Sequence, residues 1–334
     1  MKLLVLGGTQ FVGRYIVQSA LNRGHEVTIF NRGKTNADLF LNVERLTGDR
    51  GSRGSATDLS ALRGREWDAV IDVNAYVPRQ VREMIDALAG KIGHYTFIST
   101  VSVFESFEAP NLTEDFPLAK WPQDVDPNSE EITGGTYGPL KVACEQTVSA
   151  ALPGHDLIVR PGLVIGPDDH TDRFTYWPVR AAQGGEMLLP GEAPGHYMSL
   201  IDARDLADFT IHTTEQHLTG AFNATGAGIR LGEVANISKA VSGSDVRFTW
   251  VSDDFLIAQE VGQWAELPLW LPVDINPNVS KVVQAGMNFR PMADTIRDIL
   301  AWNAARPADA PRHFTFSPER EKQLLDAWHQ QQSS

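Results

Sequence analysis

Short apolar runs alternate with helical patterns through the first half of the chain. Continuous apolar runs predict buried strands, and apolar residues that recur every three or four positions predict helices. The predicted strands are Lys2–Leu6, Glu26–Phe30, Val43–Thr47, Asp68–Val73, His94–Ser99 and Asp156–Arg160. The predicted helices are Phe11–Arg23, Arg79 to about Ala89, and Gly138 or Pro139 to about Leu152. Strands that alternate with helices predict βαβ units and a doubly wound, parallel α/β sheet.

The pattern changes after Pro161, where glycine, proline and aromatic residues become more frequent. Residues 162–198 and 242–291 predict a smaller, irregular lobe, whereas Asp205–Glu215 and Gly220–Asn223 predict a helix and a strand that return to the sheet. Two helical patterns follow, at Ala293–Ala304 and Pro318–Gln330. We therefore predict a sheet domain over 1–165, with 203–224 returning to it, and a mixed lobe over 166–202 and 225–334.

Composition narrows the class of protein. The 334 residues include 29 Lys and Arg against 42 Asp and Glu, and the net charge of -13 repels phosphate backbones and anionic membranes. Cys144 is the single cysteine, so no internal disulfide can form, as is usual in a reducing compartment. The apolar run Leu3–Leu6 is too short for a signal peptide or a membrane span. The nine histidines lack metal-ligand spacing. We expect a cytoplasmic protein without a metal, whose main partner is neither nucleic acid nor a membrane.

A glycine-rich turn joins the first predicted strand to the first predicted helix. Glycines let the backbone approach a pyrophosphate, which the helix N-terminus then binds through free N–H groups. An ordinary tight turn is the alternative, but the position between strand and helix favours a dinucleotide site. The expected cofactor contacts are Gly7, Gly8, Thr9, Gln10, Phe11, Val12 and Gly13. Residues 1–165 are thus predicted to form a Rossmann-type dinucleotide-binding domain, and the mixed lobe is expected to bind the substrate.

The end of the second predicted strand bears on the choice of nicotinamide cofactor. An acid at this point would bind a ribose hydroxyl and favour NAD. The chain instead has Asn31, Arg32 and Lys34, and the two cations suit the 2′-phosphate of NADP. We therefore expect NADP, with NAD as the alternative; a solvated loop is the simpler interpretation of the two cations.

Tyr137 and Lys141 lie four residues apart, so on a helix they share one face. A lysine that holds the cofactor ribose also favours the phenolate, and the tyrosine can then exchange a proton with a substrate oxygen. Hydroxyl groups follow the fifth predicted strand at Ser99, Thr100 and Ser102, where one of them can stabilise developing negative charge on that oxygen. The alternative is that such hydroxyls only satisfy the local backbone.

These motifs, in this order, resemble the short-chain dehydrogenase/reductase superfamily, and the chain length resembles its extended branch of sugar-nucleotide epimerases, dehydratases and reductases. The resemblance maps the family's glycine motif onto Gly7, Gly8 and Gly13, with Gln10 in place of the middle glycine. This variant is similar to that of atypical members, including plastid proteins reported to bind RNA.

The resemblance also implies roles for individual residues. It makes Tyr137 and Lys141 catalytic, with Lys141 also holding the cofactor, and maps the active-site hydroxyl onto Thr100, with Ser99 as the second choice. Further cofactor contacts are implied for Asp49 beside the adenine, for Asn74, and for Arg160 at the exit of the sixth strand.

Substrate contacts are expected in the mixed lobe, where cations and aromatic residues occur together. The candidates are Arg173, Tyr176, Trp177, Arg180 and His196, with Ser102 contributed by the sheet domain. Stacking and charge would suit a small polar or sugar-like substrate. A packed helix with salt-bridged arginines is an equally good interpretation of the segment around Trp177.

The leading hypothesis is an NAD(P)-dependent reductase or epimerase that transfers hydride at a carbonyl or alcohol carbon. The alternative is a non-catalytic NAD(P)-sensing or RNA-binding protein on the same fold, since fold does not fix function. The resemblance further implies a homodimer formed through the helices at Arg79–Ala89 and Gly138–Leu152.

Overall fold

The computed structural model describes residues 1–51, 55–88, 90–108 and 111–333. Its strands are β1 (Lys2–Leu6), β2 (Glu26–Asn31), β3 (Glu44–Thr47), β4 (Asp49–Arg50), β5 (Thr57–Asp58), β6 (Trp67–Asp72), β7 (Ile92–Ile98), β8 (Asp156–Val159), β9 (Leu163–Ile165), β10 (Glu186–Pro190), β11 (Tyr197–Met198), β12 (Leu200–Asp202), β13 (Gly220–Phe222), β14 (Ile229–Arg230), β15 (Arg247–Val251), β16 (Gln263–Trp264) and β17 (Leu267–Pro268). Its helices are α1 (Phe11–Asn22), α2 (Pro78–Ala87), α3 (Tyr137–Ala151), α4 (Tyr176–Ala182), α5 (Ala203–Glu215), α6 (Leu231–Ser242), α7 (Asp253–Ala258), α8 (Ser280–Gln284), α9 (Met292–Ala305) and α10 (Pro318–Gln332).

The central sheet has seven strands in the order β13-β8-β7-β6-β1-β2-β3. All its neighbouring strands pair in parallel. The chain order reverses between β1 and β6, and in such sheets ligands bind at the carboxyl ends of the strands beside this reversal. The glycine turn, Asn74 and Thr100 all follow strands that end at this edge. The prediction of a Rossmann-type doubly wound sheet is confirmed.

Helices cover both faces of the sheet, as a parallel sheet requires. On one face α1 packs against α5, and on the other α2 packs against α3. The second interface is a dry core in which Leu4, Val70 and Phe97 of the sheet meet Met84 of α2 and Val148 of α3. Their burial fixes which sides of α2 and α3 face the sheet, and hence which residues reach its carboxyl edge.

The described residues fall into two compact units. The first comprises those of Met1–Val164, Ala203–Thr225 and Pro277–Asn288 and contains the sheet. The second comprises those of Ile165–Asp202, Gly226–Asn276 and Phe289–Ser334. Within it β10 pairs in parallel with β15, and α6 packs against α4 and α9. The assignment of cofactor binding to one domain and substrate binding to the other stays a prediction.

Predicted and observed elements of the sheet unit agree within one or two residues at most ends. The last residue of the second predicted helix, Ala89, and the terminal Ser334 of the predicted lobe lie outside the described residues. One expectation for the second unit was wrong, because the stretches expected to be irregular contain the paired strands β10 and β15. Helix α6 lies where no element was predicted. Among the described residues no helix has the length and apolar content needed to cross a membrane.

Candidate active site

The glycine turn after β1 needs glycine at three positions. Gly7 and Gly8 have φ angles of 114° and 84°, which side-chain-bearing residues rarely adopt. A Cβ on Gly13 would lie 2.7 Å from the amide nitrogen of Gly8, so α1 can approach the turn only with glycine there. Gln10 is extended, with a φ of -137°, and Phe11 takes the positive φ instead. The absence of the family's middle glycine is therefore compatible with this turn.

Two asparagines hold the glycine turn from the β2 side. The Nδ2 of Asn31 donates to the carbonyl oxygen of Gly7 at 3.1 Å and to the Oγ1 of Thr9 at 3.4 Å. The Nδ2 of Asn36 donates to the carbonyl oxygen of Thr9 at 2.7 Å. Asn31 thus shapes the predicted phosphate site, while Arg32 and Lys34 beside it are exposed to solvent.

Lys141 is buried at the carboxyl edge of the sheet, with 3% of its surface exposed. Its ammonium group donates to the carbonyl oxygen of Ala75 at 2.9 Å and to that of Ile98 at 2.7 Å. The Nζ also lies 4.1 Å from the centroid of the Phe97 ring. Burial lowers the pKa of Lys141 from 10.5 to about 8, because the charged form loses its hydration.

Tyr137 is half-buried at the first residue of α3, one turn before Lys141. Gly138 follows it, and a Cβ on Gly138 would collide with the carbonyl oxygen of Ser102. The first turn of α3 therefore rests directly on the 3-10 turn Val101–Val103 that follows β7. This contact brings Tyr137, Lys141 and Ser102 to the same edge of the sheet.

The hydroxyls after β7 have different partners. Ser99 donates to the Oε1 of Glu145 at 2.5 Å, so its proton is committed inside the protein. The Oγ1 of Thr100 accepts from the backbone N–H of Ser102 and donates to the Oγ of Ser102, both at 3.1 Å. Because Thr100 donates to Ser102, the Ser102 proton is left for another acceptor. The geometry favours the Thr100–Ser102 pair over Ser99.

Arg160 is enclosed by protein groups. Its guanidinium donates to both carboxylate oxygens of Glu145, at 3.0 and 2.7 Å, and to the carbonyl oxygen of Glu114 at 2.9 Å. Only 4% of its surface is exposed. These contacts give Arg160 a structural role in joining α3, β8 and the loop around Glu114, rather than the cofactor contact that was expected.

A buried cluster beside the sheet reversal was missed by sequence reasoning. Arg50 forms two hydrogen bonds with Asp72, at 2.6 and 2.8 Å, and a third with the Oδ1 of Asn74 at 2.9 Å. Tyr95 donates to Asp72 at 2.7 Å. Burial alone would raise the pKa of Asp72, but Arg50 holds it below its usual value. The signal in the sequence was the charged Asp72 directly after the apolar run Ala69–Ile71, since a buried charge demands a partner.

Two further residues complete the edge. Asp49 was expected to contact the adenine. In the structure its carboxylate accepts from the backbone N–H of Gly51 at 3.0 Å and stabilises the turn that follows β4. The Tyr76 ring is 44% exposed, lies 6.5 Å from the Tyr137 ring and has the Lys141 ammonium 5.6 Å from its centroid. Tyr76 was not singled out from the sequence, because a lone aromatic residue after a strand has no distinguishing pattern.

Residues 3–224 match the NAD dependent epimerase/dehydratase family, which is about two thirds of the chain. The chain belongs to this family. The resemblance to the extended short-chain dehydrogenases is thereby confirmed for the stretch that contains the glycine turn, Tyr137 and Lys141.

Curated relatives of this family member are distant. The chloroplast stem-loop binding protein of 41 kDa b from Arabidopsis thaliana is 30% identical over 128 residues, 34% of this chain and only 33% of that protein. The epimerase family protein SDR39U1 of Bos taurus is 25% identical over 240 residues, 67% of this chain and 74% of that protein.

Solved epimerases share the fold. The UDP-N-acetylglucosamine 4-epimerase of Bacillus cereus superposes with a TM-score of 0.67 at 19% identity, covering 93% of this chain and 99% of that one. The UDP-glucose 4-epimerase of Thermus thermophilus, solved as a complex with NAD, gives 0.66 at 18% identity, covering 92% and 100%.

In the second unit, the expected substrate residues of α4 belong to the packed interior. Tyr176 and Trp177 are 5% and 2% exposed, and the Trp177 indole donates to the carbonyl oxygen of Pro268 at 3.1 Å. Arg180 pairs with Glu321 at 2.6 Å and also donates to the carbonyl oxygens of Gly184 and Glu186. These three side chains pack or form ion pairs inside the second unit. A packed helix with a salt-bridged arginine is therefore a better interpretation of this segment than a substrate site.

The remaining two candidates of this unit are more accessible. Arg173 is exposed and lies 5.8 Å from the centroid of the Trp264 ring. His196 has its Nε2 at 2.7 Å from Asp253 and its Nδ1 at 3.3 Å from Asp274. Because both ring nitrogens face carboxylates, His196 has no nitrogen left to act as a base on a substrate.

Proposed function

We propose that this protein is an NAD(P)-dependent oxidoreductase or epimerase that transfers hydride at a carbonyl or alcohol carbon of a small polar or sugar-like substrate. The observation that carries the proposal is the buried Lys141 ammonium, held by two backbone carbonyls one helical turn after Tyr137. Burying a cation costs several kcal/mol, and such sites cluster where function requires them.

The residues present fit a nicotinamide dinucleotide. Gly7 and Gly8 carry no side chain between β1 and α1, and a Cβ added to Gly7 would touch Asn74 and Val73 at 3.8 Å, so the turn passes close to the residues that follow β6. Gly7, Gly8 and the N–H groups at the start of α1 would hold the pyrophosphate. When bound, the nicotinamide would supply or accept the hydride.

This chain's own groups would handle the proton. Tyr137 would give a proton to, or take one from, the substrate oxygen, and the Lys141 charge would favour its phenolate. The Ser102 hydroxyl, oriented by Thr100, would donate to the same oxygen and stabilise the charge that develops there.

NADP is the preferred cofactor in this proposal. Asn31 is occupied with the glycine turn and provides no acid for a ribose, and the exposed Arg32 and Lys34 could both meet a 2′-phosphate. Family membership supports a nicotinamide cofactor without distinguishing NADP from NAD. The cytoplasmic location and the homodimer through α2 and α3 stay predictions.

A second candidate function is binding of an RNA stem-loop, with or without cofactor sensing. It is favoured by the similarity to the chloroplast stem-loop binding protein, although that match spans only a third of its length. The net charge of -13 opposes it. Salt-sensitive binding of a stem-loop RNA, together with no turnover of carbonyl compounds, would favour this candidate.

The decisive experiment is a titration of purified protein with NADPH and NADH, followed by nicotinamide fluorescence after an assay for co-purified cofactor. An empty site that prefers NADPH supports an exchanging reductase. Tightly co-purified NAD supports an epimerase, which oxidises its substrate and then reduces the resulting intermediate with the same cofactor, and contradicts the role of Arg32 and Lys34. Binding of neither cofactor contradicts the enzymatic proposal.

Tyr137→Phe tests the proton role separately. We expect kcat to fall by about 10²- to 10⁴-fold, because the acid–base group is lost, while the affinity for NADPH stays within about twofold. Wild-type turnover by Tyr137→Phe with any carbonyl substrate would remove Tyr137 from the mechanism.

A further inference from the structure

Arg50 and Asp72 form a buried ion pair directly beneath the carboxyl edge of the sheet. Their side chains are 6% and 0% exposed. The guanidinium makes two bonds to Asp72 and one to the carbonyl oxygen of Gln80 at 3.2 Å, and its buried Nε has no hydrogen-bond partner among the described residues. Arg50 makes one additional bond, which runs to the Oδ1 of Asn74 at 2.9 Å.

That additional bond fixes the orientation of the Asn74 amide. A guanidinium has donors and no acceptor, so the group facing Arg50 at 2.9 Å must be the oxygen of Asn74. The backbone N–H of Asn74 donates to Asp72 at 3.2 Å, which holds the residue from a second side. The NH₂ group must therefore point away from the cluster.

The amide of Asn74 lies against the glycine turn. A Cβ placed on Gly7 would lie 3.8 Å from both the Cγ and the Nδ2 of Asn74, which is ordinary contact distance, so the NH₂ group lies beside Gly7. Asn74 is exposed, and no hydrogen bond to another described residue engages its Nδ2. The turn thus has a preoriented donor in front of it, at the reversal of strand order where a ligand would sit.

We propose that Arg50 is a positioning residue that holds the Asn74 amide so that its NH₂ group donates to an oxygen of the bound dinucleotide beside Gly7. This inference rests on the proposed function. A cofactor contact for Asn74 was already expected, and the inference adds the role of Arg50 and the direction of the Asn74 amide. The acceptor is an oxygen of the diphosphate or of the adjoining ribose, which share the ability to accept from an amide.

Variants of Asn74 test the donor. NADPH and ADP-ribose affinities are measured by calorimetry for wild type, Asn74→Ala and Asn74→Asp, with ADP-ribose reporting contacts that do not involve the nicotinamide. We expect Asn74→Ala to weaken both ligands by about 5- to 50-fold, because one hydrogen bond to the ligand is lost. Asn74→Asp can still accept from Arg50 but presents a carboxylate to the ligand.

The aspartate variant distinguishes the two acceptors. If the acceptor is a diphosphate oxygen, repulsion makes Asn74→Asp weaker than Asn74→Ala by about tenfold or more. If it is a ribose hydroxyl, the hydroxyl can donate to the carboxylate, and Asn74→Asp recovers most of the affinity. The matched control is Asn22→Asp, since Asn22 is an exposed asparagine whose Oδ1 also accepts from a side chain, the Nε2 of Gln18 at 2.9 Å.

Arg50→Lys tests the positioning step. Lysine keeps the charge beside Asp72 but cannot bridge Asp72 and Asn74 with a planar fork. We expect weaker cofactor binding in the wild-type background and no further weakening in the Asn74→Ala background, because both changes remove one interaction. A purely structural Arg50 would weaken binding equally in both backgrounds. Thermal denaturation of each variant establishes that it is folded.

Failure of the proposed function and failure of this inference give different experimental results. Wild-type protein that binds neither NADPH nor NADH overturns the proposed function itself. Wild-type protein that binds cofactor, with Asn74→Ala and Asn74→Asp both within about twofold of it, leaves the proposed function intact and overturns this inference. The Asn74 variants decide the matter even if Arg50→Lys does not fold.

Discussion

Lys141 keeps its ammonium group in a place with almost no water. Two backbone carbonyls, those of Ala75 and Ile98, and the face of Phe97 take the place of hydration. The replacement is incomplete, because burial still lowers the pKa of Lys141 to about 8. The charge on which the proposed chemistry depends is therefore retained at neutral pH but is lost in mild alkali.

The activity should accordingly decline in mild alkali. The protonated form of Lys141 is lost as the pH rises through about 8, and kcat/KM reports groups of the free enzyme. We expect kcat/KM to fall with a midpoint near this pH, while intrinsic fluorescence shows an unchanged fold. A profile that stays flat to about pH 10, near the ordinary lysine value, would contradict the role given to the ammonium group.

A second residue-scale prediction concerns the buried pair of Arg50 and Asp72. Asp72→Asn leaves the guanidinium buried without its counter-charge, and we expect the free energy of unfolding to fall by about 3–5 kcal/mol in urea denaturation. The control is Glu44→Gln, which breaks the Arg65–Glu44 pair whose side chains are 35% and 45% exposed. Glu44→Gln should lower the free energy of unfolding by less than about 1 kcal/mol. Equal losses in both variants would mean that the buried pair is not specially coupled.

At the scale of elements, α3 connects the core to the site. Its buried residues Cys144 and Val148 pack on the sheet, Glu145 clamps Ser99 and Arg160, and its first turn carries Tyr137. The 3-10 turn after β7 meets that first turn through Gly138. The site hydroxyls and the phenol are thus positioned by one helix–turn contact rather than by a flexible loop.

Gly138→Ala tests that contact. The new methyl group would collide with the Ser102 carbonyl oxygen, so the first turn of α3 must move away. We expect a loss of about 1–3 kcal/mol in stability and at least about a tenfold loss in kcat. Gly134→Ala is the control, since a Cβ there meets nothing within 4 Å. Wild-type kcat in Gly138→Ala would show that this contact does not position Tyr137.

At the scale of the whole molecule, the sheet unit contains a histidine that resists protonation. His94 on β7 is 1% exposed and packs edge-on against His217, with ring centroids 5.6 Å apart. Burial, reinforced by the neighbouring histidines, lowers the pKa of His94 to about 4. The unfolded chain, with a histidine pKa of about 6.5, therefore binds more protons than the folded one between these values.

Stability should fall as the pH falls from about 6.5 to 4, because proton uptake then favours unfolding. We expect His94 to account for up to about 2–3 kcal/mol of that loss, measured as the difference in the pH dependence of urea unfolding between wild type and His94→Gln. His313→Gln, which removes a histidine exposed to solvent, should leave the slope unchanged. If the free energy of unfolding of His94→Gln depends on pH as steeply as that of the wild type, then His94 does not cause the loss of stability.

The sequence by itself determined the features that are local in the chain. Continuous apolar runs and helical spacing defined the strands and helices of the sheet unit, and the placement of Gly7, Gly8 and Gly13 predicted the turn where β1 meets α1. The four-residue spacing of Tyr137 and Lys141 placed both on one helix, because helical periodicity depends on neighbours alone.

Only the tertiary structure decided which polar groups are free to act. In the fold, Ser99 and Arg160 donate hydrogen bonds to Glu145. Arg50 donates to Asp72 and Asn74, which lie more than twenty residues away in the sequence. The fold also enclosed Trp177 and paired Arg180 with Glu321, removing both from the expected substrate site. These outcomes depend on burial and on partners distant in sequence, because a charge removed from water must find its counterpart wherever the fold places it.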